Sequence, residues 1–196
     1  MKKLILLLLF IPLVSFGQSS YKVEKITDID YNDNVVFPGK KDFLDIYLPK
    51  GEGNYPVIVY FHGGALIAGS KEMGKDIGEK LAKNGIGFVS ANYRLSPTAK
   101  YPDHLNDAQT ATDWTFNNIE PLGGDLKNIY VCGHSAGAYL AAVLALNKDL
   151  KIHKMRKIKG AILISPFLYV EETAPARIKR DTCLLYTSDA ADDIGR

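Results

Sequence analysis

Gly133-His134-Ser135-Ala136-Gly137 constrains this chain more than any other stretch, because of what flanks it. Asn128 to Cys132 is a β-branched and aromatic run that reads as a buried strand. Ala138 to Leu146 is rich in Ala and Leu and reads as a buried helix. A strand that becomes a helix over so short a stretch leaves no room for side chains in the turn. Gly133 and Gly137 meet that demand, and the turn then thrusts the Ser135 hydroxyl out above the sheet as a nucleophile elbow. The helix N-terminus beneath it favours negative charge. A G-x-S-x-G pattern alone also fits an ordinary turn with Ser135 as helix N-cap. The remainder of the chain decides between the two.

Around the elbow, strand-like and helix-like runs alternate. Phe43 to Leu48 alternates with period two and ends at Pro49, so a half-exposed strand is predicted. Pro56 to Phe61 is continuously apolar, as a strand covered on both faces must be. A helix is predicted over Lys71 to Asn84, stopping at Gly85, and a strand over Ile86 to Tyr93. Asp103 to Asn118 reads as a helix with Leu105, Ala108, Ala111, Thr112 and Thr115 on its less polar side, and Gly160 to Ser165 as one more strand. This order predicts one α/β domain: a mostly parallel sheet with helices on both faces, and an antiparallel edge from the segment Tyr21 to Leu48.

Composition excludes several classes. The chain has 196 residues, of which 23% are charged, with a net charge of +2, so no polyelectrolyte partner is implied. A basic cluster from Lys148 through Lys151, His153, Lys154, Arg156 and Lys157 to Lys159 lacks the interleaved aromatics of a base-stacking platform. It reads as a solvated helix end, and no nucleic acid is expected as a partner. Lys2-Lys3, the apolar run Leu4 to Val14 and the small residues Ser15 and Gly17 form the three regions of a secretory signal peptide, cleaved before Gln18. The run is short of the ~20 residues that span a bilayer, and no Cys follows it for lipid attachment. Export to the periplasm or medium is expected, with no stable membrane anchor. Cys132 reads as a buried apolar residue, and no disulfide is expected.

The second half of the chemistry lies at His62-Gly63-Gly64-Ala65, where the apolar strand ends. An acyl-transfer enzyme needs backbone N–H groups aimed at the oxyanion of its tetrahedral intermediate, and glycines let that backbone approach. One such donor lowers the barrier by roughly 3–4 kcal/mol. Alone, Gly63-Gly64 describes a flexible turn; one strand–helix–strand–helix–strand block upstream of an elbow, it is far more specific.

Tyr60-Phe61-His62-Gly63-Gly64 with Gly69-Ser70, Ala91 to Ser96, Tyr101-Pro102, Asp107 and the Gly133–Gly137 elbow together resemble the α/β-hydrolase superfamily. The similarity is to its HGGG-type esterase/lipase branch, which includes carboxylesterases, acetyl and feruloyl esterases of polysaccharides and kynurenine formamidase-like enzymes, and it runs from about Phe43 to Phe167. The resemblance implies Ser135 as nucleophile and an oxyanion hole from the N–H groups of Gly63, Gly64 and Ala136. It implies that His62 shapes the loop and that Tyr93, Arg94 and Asp107 are structural. It implies no metal and no cofactor, and a small-molecule or polysaccharide-linked ester as substrate. Ala65 stands where many relatives carry a third glycine; a left-handed conformation there would strain it. An amidase, formamidase or peptidase on the same scaffold is the alternative chemistry. A non-catalytic binding protein of this shape is the alternative of another class, and it is disfavoured by the intact Ser135, Gly63 and Gly64.

In this fold the triad runs Ser, then Asp or Glu, then His, and the serine needs that base. The only downstream histidine, His153, lies about 27 Å of helix rise from Ser135. His62 and His104 precede the serine. The acid and base are therefore expected to be absent from this chain. From Thr182 it reads Thr-Cys-Leu-Leu-Tyr-Thr-Ser-Asp-Ala-Ala-Asp-Asp, which resembles a translated transposase adapter from sequencing-library preparation. The expected organisation is a signal peptide at 1–17, the N-terminal part of a C-terminally truncated hydrolase domain at 18–181, and a non-native tail at 182–196. Such a fragment should be inactive, and its last strand should leave an open sheet edge.

Overall fold

Apolar runs of strand length separated by helical runs bury their faces only as layers. The computed structural model describes residues 20–32, 37–51, 53–146, 158–166 and 184–187. Along the chain it has β1 (Val23–Asp30), β2 (Phe43–Pro49), β3 (Tyr55–Phe61), a 3-10 turn (Lys71–Gly74), α1 (Lys75–Lys83) and β4 (Gly87–Ala91). Then follow α2 (Asp103–Asn118), a 3-10 turn (Glu120–Leu122), β5 (Gly124–His134), α3 (Ala136–Leu146), β6 (Ile158–Ile164) and β7 (Leu184–Thr187). The strands form one sheet in the order β1-β2-β4-β3-β5-β6-β7. The four central strands are parallel; β1, β2 and β7 pair antiparallel at the edges.

Period-two alternation sorts the two faces. Val57, Val59 and Phe61 of β3 join Val89, Ala91, Ile129 and Val131 beneath α2 and α3. Ile58 and Tyr60 face the other way, with Tyr47, Phe88 and Cys132, toward Ala82 of α1. α2 occupies the range its pattern predicts, with Leu105, Ala108, Ala111, Thr112 and Thr115 buried. The two threonine hydroxyls donate back to Ala108 O and Ala111 O, which makes them tolerable in the core.

The structure corrects three expectations. β2 is buried along nearly its whole length rather than half-exposed, because Tyr47 packs with Phe88 and Ala82 of α1 on one face, Leu44, Ile46 and Leu48 enter the core on the other, and Asp45 is paired with Lys71 rather than solvated. The helix expected from Lys71 begins as a 3-10 turn and becomes α-helical only at Lys75. The edge expected to be open at β6 is covered: Gly160–Leu163 pairs antiparallel with Leu184–Thr187, inside the segment read as a non-native tail. The signal-peptide segment 1–17 and the basic cluster from Lys148 to Lys157 lie outside the described residues. No helix among the described residues is long and apolar enough to cross a membrane.

Candidate active site

The parallel pairing of β3 with β5 sets Phe61 opposite Gly133, so the loops that leave these two strands emerge side by side at the carboxyl edge of the sheet. At the end of β5 the chain reverses on Ser135, whose φ of 52° lies in the left-handed region. Its N–H donates to Ile164 O of β6 (2.9 Å), and its carbonyl accepts from Ala138 N and Tyr139 N, starting α3. The serine side chain is half-buried. Gly137 is pressed onto the backbone of β3: a Cβ there would fall inside van der Waals contact of Phe61 O and 2.6 Å from Phe61 C. A Cβ at Gly133 would collide with Gly137 in the same way. The small residues read from the sequence are thus sterically required.

The loop 62–70 comes to the elbow from the other side. A Cβ on Gly63 would lie 2.8 Å from His134 Nδ1, 3.1 Å from His134 O and 3.4 Å from Ser135 Cβ, so the Gly63 backbone sits directly against the elbow. Gly64, Ala65 and Leu66 follow with φ of 116°, 54° and 63°. This left-handed run turns the chain so that Ile67 N and Ala68 N both donate to Gly64 O (3.0 Å each). Ala136, the first residue of α3, has an N–H without an acceptor inside its own helix, as first-turn amides must. Gly63 is therefore brought against Ser135, with Ala136 and Gly64 next to them along the chain.

The sequence expectation for Ala65 is met in its unfavourable form, since the residue adopts the conformation that strains a Cβ. Ala65→Gly is expected to stabilise the fold by about 1 kcal/mol, measured as a raised urea midpoint. An unchanged or lowered midpoint would show that the loop carries no such strain.

A family model described as the alpha/beta hydrolase fold matches residues 58–195. The chain belongs to this family. Over 120 residues it is 38% identical to an isoprenylcysteine alpha-carbonyl methylesterase of Arabidopsis thaliana, covering 61% of this chain and 28% of that protein. Over 102 residues it is 38% identical to the carboxylesterase NlhH of Mycobacterium tuberculosis, covering 50% of this chain and 31% of that one. Among solved structures, an esterase of Pyrobaculum calidifontis superposes with a TM-score of 0.58 at 34% identity, over 74% of this chain and 45% of its own. A truncated carbohydrate esterase from gut microbiota does so with a TM-score of 0.60 at 28% identity, over 69% and 47%. The chain spans under a third of the length of these curated relatives.

Within this α/β-hydrolase, both described histidines that precede the elbow residues are engaged away from Ser135. His62 is fully buried, stacked on Tyr93 with centroids 4.3 Å apart, and its carbonyl accepts the Tyr93 hydroxyl (2.7 Å). Its Nδ1 lies 2.7 Å from Gly63 O. A carbonyl only accepts, so Nδ1 carries the proton and Nε2 is left as a bare, buried lone pair without a protein partner. A second proton would have no acceptor. Burial accordingly pushes the imidazole below its ordinary 6.5, against the opposing pull of the Gly63 carbonyl. His104, also buried, faces Ser96 Oγ at 3.2 Å, and burial lowers it too, against the opposing influence of Asp107 and Asp103. His153 lies outside the described residues.

A pH dependence follows. The unfolded chain takes up protons on these imidazoles near 6.5, whereas the folded chain resists them, so stability is complete above that pH and falls as pH drops below it. The urea midpoint should decline between about pH 7 and pH 5. A midpoint that is flat or rises over that range contradicts the assignment of two neutral buried histidines.

Sequence reading missed one polar group behind the site. Lys71 is 3% exposed and its Nζ contacts Asp45 Oδ1 at 2.6 Å and Asp28 Oδ1 at 3.0 Å. Burial alone would lower this ammonium, but the hydrogen bonds it donates to Asp45 and Asp28 outweigh it and hold it charged. Lys40 and Lys71 together hold the Asp28 carboxyl at about 2. Arg94 and Asp107, expected to be structural, form a bidentate pair at 2.7 and 2.8 Å, with the guanidinium 4.3 Å from the Phe37 ring centroid.

Proposed function

We propose that the full-length protein is an exported serine hydrolase that cleaves carboxylic esters through an acyl-enzyme on Ser135. The close approach of Gly63 to the elbow, where an added Cβ would lie 3.4 Å from Ser135 Cβ, together with the left-handed backbone of Ser135, supports this reading. In this mechanism Ser135 Oγ attacks the ester carbonyl. The carbonyl oxygen becomes an oxyanion held by the N–H groups of Gly63, Gly64 and Ala136, and the alcohol departs as the acyl-enzyme forms. Water then releases the acid. The base that accepts the Ser135 proton, and its acidic partner, belong to sequence downstream of the elbow in the full-length protein. The names of the relatives, a methylesterase and a carboxylesterase, favour an ester over an amide. The similarity to a carbohydrate esterase favours a polysaccharide-linked ester as one substrate class.

The test compares p-nitrophenyl acetate with an aryl formamide on the full-length protein. Ester turnover together with fluorophosphonate labelling of Ser135 is expected, and preference for the formamide would replace the ester reading with the amidase one. Export rests on the Lys2-Lys3, Leu4–Val14 and Ser15–Gly17 pattern. N-terminal sequencing of the mature protein is expected to begin at Gln18.

A further inference from the structure

We propose that Lys71 is a positioning residue: paired with Asp45, it clamps the far end of the loop that carries Gly63 and Gly64 and so sets where those amides lie relative to Ser135. This inference rests on the reading of Ser135 and the two glycines given above.

The loop leaves β3 at His62 and passes through left-handed backbone at Gly64, Ala65, Leu66 and Gly69. Such a path persists only where its surroundings over-determine it. The near end is held by the stack of His62 on Tyr93, and by Gly69, where a Cβ would run into the His62 ring. The middle is held by Ser96 N, which donates to Leu66 O at 2.8 Å. The far end is Lys71, fixed at each of its polar groups. Its N–H donates to Asn92 Oδ1 (2.6 Å), its carbonyl accepts from Ser90 Oγ (2.7 Å), and its Nζ reaches Asp45 Oδ1 (2.6 Å). Asp45 lies on β2, and Ser90 and Asn92 lie on and just after β4. The loop is therefore bolted to two neighbouring strands of the sheet.

The chemistry of the bolt bears on its purpose. A buried ion pair seldom outperforms a well-packed apolar pair in stability, because both ions must leave water. What it adds is direction, since the ammonium must meet a particular carboxylate oxygen. A pair retained for direction at the end of a strained loop beside an elbow is suited to positioning that loop.

The test uses the full-length protein. The double variant Lys71→Met/Asp45→Leu removes both buried charges, and the half-exposed Asp28, which also meets Lys71, keeps its ion pair with Lys40. With p-nitrophenyl acetate its kcat is expected to fall about 100-fold, the loss that a displacement of about 1 Å produces, with KM unchanged. Affinity for a trifluoromethyl ketone, which forms an oxyanion on the serine, should fall in parallel. A folded double variant with wild-type kcat overturns the proposal. Where that variant fails to fold, Lys71→Arg serves: its planar fork needs more room than an ammonium, so the melting temperature should fall by a few degrees as overpacking requires while the protein stays folded and kcat drops, and an unchanged kcat again overturns the proposal. Ser135→Ala, assayed alongside, separates the two readings. Turnover that survives it refutes the nucleophile; turnover lost there but retained in the Lys71 variants refutes the clamp alone.

Discussion

Replacing Ser135 with alanine is expected to lower kcat for ester hydrolysis by the full-length protein by a factor on the order of 10^6, while leaving its melting temperature in place. The substitution removes only the hydroxyl oxygen. Alanine keeps the Cβ, so the cost of φ at 52° is the same in both proteins. The backbone bonds that build the turn are also kept: the N–H to Ile164 O and the carbonyl that receives Ala138 N and Tyr139 N. Ser135→Gly should instead raise stability by about 1 kcal/mol, because glycine occupies left-handed backbone without penalty. Burst-phase kinetics with p-nitrophenyl acetate and a thermal melt on the three proteins check the pair of expectations. An alanine variant that still gives a wild-type acyl burst would move the nucleophile to another residue. A glycine variant less stable than wild type would show that the left-handed serine is not strained.

Gly137→Ala is expected to destabilise the protein by about 3 kcal/mol or more, a large part of the ~5–15 kcal/mol that holds a domain folded. The new methyl would meet Phe61 O inside van der Waals contact, with Phe61 C at 2.6 Å and His62 O at 2.5 Å. These are backbone atoms at the end of β3, which is hydrogen-bonded to β4 on one side and β5 on the other. They cannot yield as a side chain would. α3 must lift from the sheet instead, and Ala138, Leu140, Ala141 and Leu144, all buried, would lose their packing. Gly53→Ala is the matched control: its Cβ would meet nothing within 4 Å, so its effect should stay within about 0.5 kcal/mol. Urea denaturation of the two variants measures the contrast. Equal midpoints would show that the elbow tolerates a methyl and that its glycines are not sterically required.

The legible parts of this chain are those whose physics is local. The elbow is written in consecutive residues, because the turn's demand for small side chains falls on positions 133 and 137 themselves. α2 is legible because its apolar spacing matches its buried face. The loop after β3 is partly legible: Gly63-Gly64 marks it, and Ala65 adopts the left-handed conformation in which its Cβ is strained. The Lys71–Asp45 pair was not legible. Its members lie 26 residues apart, and in β2 the order Phe43, Asp45, Tyr47 resembles the solvent face of a half-exposed strand. A carboxylate buried with an ammonium looks, in one dimension, like a carboxylate in water.

Neighbouring residues are enough to fix the alternation of strands and helices, and the passage of one strand into a helix on a serine flanked by glycines. Periodicity and local sterics depend only on neighbours along the chain. The tertiary structure alone decided that Phe61 pairs with Gly133, which brings Gly63 against Ser135. It also decided that Asp45 faces Lys71 and that β6 is covered by β7. Those contacts join residues far apart in sequence, and whether a side chain there is solvated, paired or buried depends on which strand the fold places beside it.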